Sequence, residues 1–198
     1  MANAAMVVYC FDTLHSHFDG SDEPVPTFDI HDKYPLFVTW ETEQSPGDRH
    51  LRGCIGTLAP TKLQNLREFT FKSALKDRRF DPIHAQELHK LHCSVSLLID
   101  YEDAEHYEDW EIGVHGIIIE FTDENGNFYS ATYLPDVASE QGWTHVETVI
   151  SLMRKAGFRR SVTDTMLKML KITRYRSSKH RLSYQEYLAL KEKHSASI

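Results

Sequence analysis

The sequence predicts an α+β fold in which an antiparallel β-sheet is flanked by helices, formed by a single domain over residues 1–198. Two observations predict it: apolar residues recur at helical spacing behind helix-capping residues, and other segments alternate apolar and polar residues as strands do. A third is the pair Asn125-Gly126 between two apolar runs, which is typical of a hairpin and therefore of antiparallel pairing. A chain of 198 residues is long enough to bury a full core.

Four helices are predicted. The first carries the apolar stripe Val7, Cys10, Phe11, Leu14 and Phe18 and ends at Gly20. The others begin at capping boxes, in which Ser or Thr precedes Glu or Gln by three residues, at Thr61, Thr144 and Ser183. Because Cys10 lies on the apolar stripe of the first helix, we expect it in the core.

The predicted strands are residues 36–41, 51–57, 92–100, 114–121, 128–133 and the basic stretch 171–177. Pro46-Gly47-Asp48 provides turn residues between the first two, and Cys93 falls on the apolar side of the third. We expect a type I′ turn at Asn125-Gly126, with positive φ at both residues.

Composition indicates a packed, water-soluble protein: 41% of residues are hydrophobic and 26% are charged. No apolar run approaches the roughly 20 residues that a membrane span needs, and the amino end lacks a signal-type pattern. Three widely spaced cysteines predict free thiols in a reducing compartment. We therefore expect an intracellular protein of the cytoplasm or nucleus, without a membrane partner.

Charge is unevenly distributed along the chain. Seven acids lie between Asp100 and Glu111, whereas the segment from Arg154 to Arg181 holds ten Lys or Arg against one acid, Asp164. One interpretation is RNA binding, with Tyr175 between two arginines stacking on a base. The other is that the acidic and basic segments are solvated faces that attract one another.

The most unusual local sequence is LRGCIGT at residues 51–57. In a strand, alternation places Leu51 and Ile55 on the core face, and Arg52, Cys54 and Gly56 on the other. The glycines around Cys54 indicate a bulge or a close approach by another backbone or a ligand. Arg52 and a helix beginning at Thr61 are expected to favour the thiolate, while the alternative is a small apolar side chain filling a groove.

A reactive thiol needs a base, and His115 beside Gly116 is the candidate, since the glycine leaves room next to the imidazole. The alternative is a histidine satisfied within the core. Asp77-Arg78-Arg79-Phe80-Asp81-Pro82 is typical of a salt-bridged helix end that orients a loop, and less often of an anion site.

Metal and cofactor motifs are not found. His15-x-His17 and His89-x-x-His92 lack a second pair at zinc-ligand spacing, so no structural metal is expected. The GxGxxG motif of dinucleotide-binding proteins and the Walker-type GxxxxGK[ST] motif do not occur in the sequence, nor do the HExxH and GxSxG motifs. We expect no cofactor.

Six segments together resemble the AMMECR family, named for the Alport syndrome, mental retardation, midface hypoplasia and elliptocytosis chromosomal region. They are LRGCIGT, SALKDRRFDPI, CSVSLL, GVHGIIIEF, ATYLPDVASEQGW and MRKAGF, in order along the chain. The resemblance runs from about Val7 to Tyr187, and TRYRS with LSYQEYLA is similar to the eukaryotic branch.

The resemblance implies a larger and a smaller subdomain, and a functional groove lined by LRGCIG, from Leu51 to Gly56. Carried over by position, the binding groove comprises Arg52, Gly53, Cys54, Ile55, Gly56, Arg79, His115, Gly116, Thr132 and Trp143. Prokaryotic relatives occur next to, or fused with, a Memo domain and near radical S-adenosylmethionine proteins. The resemblance therefore suggests a role in modifying a macromolecule, and no reaction is established for the family.

Three functions are therefore compatible with the sequence. The first is a partner-binding module that docks another protein at the LRGCIG groove. The second is an enzyme acting on RNA or protein, with Cys54 as the reactive thiol, Arg52 as its electrostatic activator and His115 as base. The third is RNA binding through the segment from Arg154 to Arg181.

Overall fold

The protein is described by a computed structural model over residues 1–195. The chain forms two compact units. The first unit combines Met1–Leu98 with the carboxyl-terminal residues from Ser178 onward, and the second is Ile99–Ser177. Two long strands, Leu91–Asp103 and Lys171–Ser183, each have one part in each unit.

The first unit places helices against a three-stranded antiparallel arrangement. Its elements are α1 (Ala4–Asp19), β1 (Lys33–Ser45), β2 (Asp48–Lys62), α2 (Leu66–Leu75), the first part of β3 (Leu91–Asp103), and a carboxyl-terminal helix (Tyr184–Ser195). Short 3₁₀ turns occupy Leu63–Asn65 and Ala85–Lys90. β1 lies between β2 and β3, so β2 is the outer strand.

The predicted first helix is confirmed. Asn3 caps α1 by accepting a hydrogen bond from the Met6 backbone N–H, and Gly20 ends it with a φ of 71°. The apolar stripe packs into a core with β1 and β3, and Cys10 and Cys93 are fully buried there, as predicted. Phe11 and Trp40 meet edge to face at 5.2 Å in this core.

The second unit has its own core. Its elements are the end of β3, β4 (Gly116–Thr122), β5 (Phe128–Tyr133), α3 (Pro135–Gln141), α4 (His145–Lys155), α5 (Asp164–Met169) and most of β6 (Lys171–Ser183). β4 pairs antiparallel with both β5 and β6. α4 begins at the predicted capping box of Thr144 and packs Val149, Leu152 and Met153 into this core.

The capping box predicted at Thr61 is wrong. Thr61 lies within β2, where it pairs with Tyr34 of β1. α2 begins only at Leu66, after a 3₁₀ turn, and Asn65 precedes it without a side-chain cap. The ladder to β1 therefore overrides the local preference of the Thr-x-x-Gln sequence. The box at Ser183 is confirmed and starts α6, which is the helix Tyr184–Ser195.

The hairpin at Asn125-Gly126 is confirmed, but its turn is not type I′. Gly126 has a φ of 81°, and Asn125 has no positive φ. The reason is a longer loop closed by the Asp123 carboxylate, which accepts hydrogen bonds from the backbone N–H groups of Asn125 and Asn127. A three- to five-residue loop of this kind needs only one left-handed residue.

The α+β class, the antiparallel pairing and the larger and smaller units are confirmed. Within residues 1–195, no helix is long and apolar enough to cross a membrane. The description of residues 1–198 as a single domain stays a prediction, because division into compact units does not decide whether the two fold together.

Candidate functional site

A β-bulge lies near the start of the LRGCIGT segment of β2. Trp40 of β1 pairs with Gly53, and the next residue, Glu41, pairs with Leu51, so Arg52 is the extra residue of β2. An extra residue reverses the alternation of side chains beyond it. This is why Leu51, predicted on the core face, is 42% exposed, whereas Ile55 packs against the core as predicted.

Both glycines beside Cys54 are required by close packing. A β-carbon at Gly53 would overlap the backbone carbonyl of Ser73 in α2, and one at Gly56 would overlap the Leu36 carbonyl and the Phe37 ring. The bulge and the close backbone approach predicted from these glycines are therefore both confirmed. The groups that approach these two glycines therefore come from the protein itself and not from a ligand.

A charged pair holds the outer edge of β2 at Cys54. The Asp77 carboxylate accepts a hydrogen bond from the Cys54 N–H at 2.9 Å, and the Arg79 guanidinium donates to the Cys54 carbonyl at 3.1 Å. Arg79 also contacts Asp77 through Nε and Nη2, at 3.0 and 2.7 Å. The pair satisfies both backbone groups that an outer strand otherwise exposes. We call it the Asp77–Arg79 clamp.

The clamp is strongly ionic. The Asp77 side chain is buried, and hydrogen bonds from Arg79, reinforced by the Cys54 N–H, hold the pKa of its carboxyl well below its usual range. At Cys54, the loop between α2 and β3 thereby takes the place of a further strand next to β2. The salt-bridged loop predicted from the DRRFDP sequence is observed here.

Arg52 is bound to a different carboxylate. Its guanidinium forms two hydrogen bonds with Glu87, at 2.8 and 2.9 Å, and donates to the carbonyls of Asp81 and Pro82. This bidentate pairing ties β2 to the loop before β3. The expectation that Arg52 activates Cys54 is wrong, because the guanidinium whose charge favours the thiolate is that of Arg79.

The Cys54 thiol is half-buried and not activated. Burial raises its pKa above the ordinary value, and the opposing effects of the Thr39 hydroxyl and the Arg79 charge are smaller. Thr39, its partner across the strand pair, donates a hydrogen bond to Sγ at 3.2 Å. No helix begins at Thr61 to add positive potential. The predicted lowering of the thiol pKa is therefore wrong.

His115 lies in the second unit, directly before β4. Its Nδ1 accepts a hydrogen bond from the Glu111 backbone N–H at 3.0 Å, so the neutral ring carries its proton on Nε2. Burial, followed by the charges of Arg174 and Arg176, lowers the pKa of His115. In this tautomer Nε2 is a hydrogen-bond donor, which does not favour the predicted role of general base.

The space beside His115 is filled. A β-carbon at Gly116 would overlap the ring of Tyr175, so the expectation that this glycine leaves room is wrong. The Tyr175 hydroxyl lies 2.9 Å from that of Thr132, which donates to the Ile117 carbonyl. Trp143 is half-buried near Tyr133, with ring centroids 5.9 Å apart.

The predicted site residues fall into two groups. Arg52, Gly53, Cys54, Ile55, Gly56 and Arg79 are neighbours in the first unit, and His115, Gly116, Thr132 and Trp143 belong to the second. A groove at LRGCIG and a Cys54–His115 pair stay predictions. Sequence reasoning named Asp77 as part of a salt-bridged loop but not as a partner of Cys54, and it missed Glu87.

Part of the basic segment forms ion pairs within the second unit. Arg174 forms ion pairs with Glu102 and Asp109, both from the acidic segment, at 2.9 and 2.8 Å. This is the predicted attraction between acidic and basic faces. Tyr175 is completely buried, so its predicted stacking on an RNA base is wrong. Within the described chain, no three His, Cys, Asp or Glu side chains are grouped as a metal site.

The fold and the site define an α+β protein whose LRGCIG strand is fixed by an ionic clamp. The AMMECR1 family model matches residues 7–180, and the chain belongs to this family. It is 50% identical to the uncharacterized protein At2g38710 of Arabidopsis thaliana, over 95% of this chain and 88% of that protein. It is 44% identical to the uncharacterized protein C688.03c of Schizosaccharomyces pombe, over 78% of each.

A solved structure supports the fold. The uncharacterized protein PH0010 of Pyrococcus horikoshii matches with a TM-score of 0.70, at 24% identity and over 90% of both chains. At that identity the likeness shows the fold alone.

Proposed function

We propose that the chain is a protein-binding module. Its contact surface is the face of β2 that points away from the core, around LRGCIG. The observation that carries the proposal is the Asp77–Arg79 clamp, which fixes the Cys54 backbone while the thiol remains unactivated. A surface held in one conformation loses less entropy on association than a mobile one. A clamped backbone with a neutral thiol therefore suits recognition better than nucleophilic attack.

Two exposed leucines give this surface apolar contact area. Leu51 and Leu58 are each 42% exposed; Leu51 is the first residue of the motif in β2, and Leu58 lies two residues beyond its end. Leu51 is exposed because of the bulge at Arg52. Apolar side chains framed by polar ones are typical of the buried centre of protein interfaces.

The alternatives have less support. An enzyme using Cys54 needs a thiolate and a base, whereas the Cys54 pKa is raised and the neutral His115 ring presents Nε2 as a donor. RNA binding loses its stacking residue with the burial of Tyr175. Cys10, Cys54 and Cys93 are free thiols, and we place the module in the cytoplasm or nucleus, where thiols stay reduced.

The test is quantitative affinity capture from cells with Leu51→Ser/Leu58→Ser. The matched control is Phe128→Ser/Met169→Ser, which removes two even more exposed apolar side chains from the second unit. We expect a defined set of proteins captured by the wild type to fall by about tenfold with the β2 variant, a loss of about 1.4 kcal/mol. Capture should stay unchanged with the control.

Thermal melting of both variants verifies that they fold, since surface substitutions usually change stability by only about 0.5 kcal/mol. Equal capture by the two variants would rule out β2 as the contact surface. If the wild type captures no defined set, the chain is not a binding module of this kind.

A further inference from the structure

β2 and β5 are both outer strands, and they differ in how their outer edges are protected. The ladder between β2 and β1 has three register shifts, and the Asp77–Arg79 clamp covers the β2 edge at Cys54. β5 is paired on one side only, with β4, and its register runs without a shift from Phe128 to Tyr133. Its sequence, FYSATY, contains no proline and no charged residue. β5 therefore lacks the bulges, prolines and charges that usually protect an outer strand.

The backbone groups of alternate β5 residues point away from β4. The Ala104 N–H donates to the Ile172 carbonyl, so Ile172 of β6 turns its backbone groups away from β4. Its partner on β4, Ile119, therefore turns toward β5 and pairs with Ala131. Because the direction alternates along an antiparallel strand, three β5 residues point their N–H and C=O groups outward: Phe128, Ser130 and Thr132.

Most of these outward groups are open. Lys155 of α4 donates a hydrogen bond to the Thr132 carbonyl at 2.8 Å. Within residues 1–195, no donor or acceptor contacts the outward backbone groups of Phe128 or Ser130. The Phe128 residue is 65% exposed and Ser130 is also exposed, so nothing covers the edge there in the described chain. Such a row of backbone donors and acceptors is a template for one further strand.

The sequence of β5 is complementary to itself. Antiparallel pairing of two copies centred on Ser130 places Ser130 opposite itself and Phe128 opposite Thr132 of the second copy. An aromatic residue opposite a β-branched one is a favourable cross-strand pair, and the uncharged strand places no like charges opposite one another. FYSATY also has no charged side chain that would select a foreign strand by charge. A second copy of the chain is therefore the partner that this edge fits.

The Lys155 ammonium does not prevent this pairing. The two Thr132 residues would be four residues apart along the paired strands, about 13 Å. Salt screens charges over about 8 Å at physiological ionic strength, so repulsion between the two lysines is weak. The Thr132 carbonyl oxygen has a second lone pair, which can accept the Phe128 N–H of the second copy.

We propose that β5 pairs antiparallel with β5 of a second copy of this chain across a two-fold axis at Ser130. The pairing adds about six backbone hydrogen bonds and satisfies the open groups of Phe128 and Ser130. A contact limited to one strand gives a weak dimer, which forms as concentration rises. Each copy keeps its own β2, so this contact is independent of the surface proposed for partner binding.

Sedimentation velocity of the whole chain from about 1 to about 100 µM tests the dimer. The wild type should shift from monomer to dimer over this range. Ser130→Pro removes an outward N–H and no ladder bond to β4, and it should raise the dimer dissociation constant at least about tenfold. Ser130→Ala keeps the N–H and should behave as the wild type. Leu51→Ser/Leu58→Ser should also leave the dimer unchanged, which separates this proposal from that for β2.

Disulfide cross-linking tests the register and does not depend on the proline variant. In the Cys54→Ser chain the other two cysteines, Cys10 and Cys93, are fully buried. Ser130→Cys in that chain should cross-link rapidly with copper phenanthroline, because hydrogen-bonded partners have Cα atoms about 5.5 Å apart. Phe128→Cys should not, since the two copies of residue 128 would lie about 13 Å apart.

Three results would each overturn the proposal. The first is a wild type that stays monomeric up to about 100 µM. The second is equal dimerisation of Ser130→Pro and Ser130→Ala. The third is cross-linking of Phe128→Cys as fast as that of Ser130→Cys.

Discussion

Two segments of the molecule place a potentially reactive side chain among glycines: LRGCIGT in the first unit and GVHGIIIEF in the second. In LRGCIGT the glycines accommodate the Ser73 carbonyl and the Phe37 ring, and in GVHGIIIEF Gly116 accommodates the Tyr175 ring. Neither set of glycines opens space for a ligand. The two segments differ in what holds the reactive residue, since charged side chains clamp Cys54 and one backbone N–H holds His115.

The largest expected effects come from filling the glycine positions. Gly53→Ala pushes a methyl group into a backbone carbonyl that cannot move alone, and we expect it to lower the free energy of unfolding by about 3 kcal/mol. Gly116→Ala should cost about 2 kcal/mol, because the Tyr175 side chain can shift more easily than backbone. Urea denaturation measures both. A loss below about 0.5 kcal/mol at Gly53 would mean that the strand and α2 are not in contact there.

The clamp should give the next largest effect. Asp77→Asn leaves Arg79 without its charged partner, and we expect a loss of about 2 kcal/mol at pH 7 in urea denaturation. The pKa of Asp77 is lowered by folding. Its contribution is therefore present above the ordinary Asp pKa of about 3.9 and is lost as pH falls below it.

The difference in stability between wild type and Asp77→Asn should accordingly shrink from about pH 4 downward. A difference that stays constant down to about pH 2 would show that the Asp77 carboxylate is not held ionised by the fold.

The smallest effects compare two adjacent arginines. Arg79→Ala should cost about 1 kcal/mol, since it removes the donor to the Cys54 carbonyl and the partner of Asp77. Arg78 is exposed, and its replacement by Ala should change stability by less than about 0.5 kcal/mol. Equal effects of the two substitutions in thermal or urea unfolding would contradict the clamp.

The sequence was sufficient where a local pattern decides the structure. The stripe of α1 with its terminal Gly20, the capping box at Thr144 and the burial of Cys93 all have the predicted outcome. The third strand is not half-buried as predicted, because Ser94 and Ser96 on its polar side are buried as well. The capping box predicted at Thr61 does not form, because Thr61 pairs with Tyr34 of β1, a segment far away in sequence. Leu51 fails for a related reason, since a bulge is visible only when the register of two strands is known.

The candidate site shows the same limit. The sequence indicated that residues around Cys54 are closely packed. It did not indicate that Arg52 forms an ion pair with Glu87, or that Arg79 forms one with Asp77. Those pairings depend on how the loop of residues 76–90 folds back on β2. The effect of burial on the Cys54 pKa likewise depends on neighbours from several elements.

The most direct test of the account is the alkylation rate of Cys54 with iodoacetamide in the folded protein. Cys10 and Cys93 are fully buried, so labelling of the native chain reports Cys54, and Cys54→Ser gives the background. Because burial raises the thiol pKa, we predict alkylation at pH 7 several-fold slower than that of a free model thiol with a pKa of about 8.5. Alkylation faster than the model thiol would reveal an activated nucleophile and contradict the assignment of LRGCIG as a clamped binding surface.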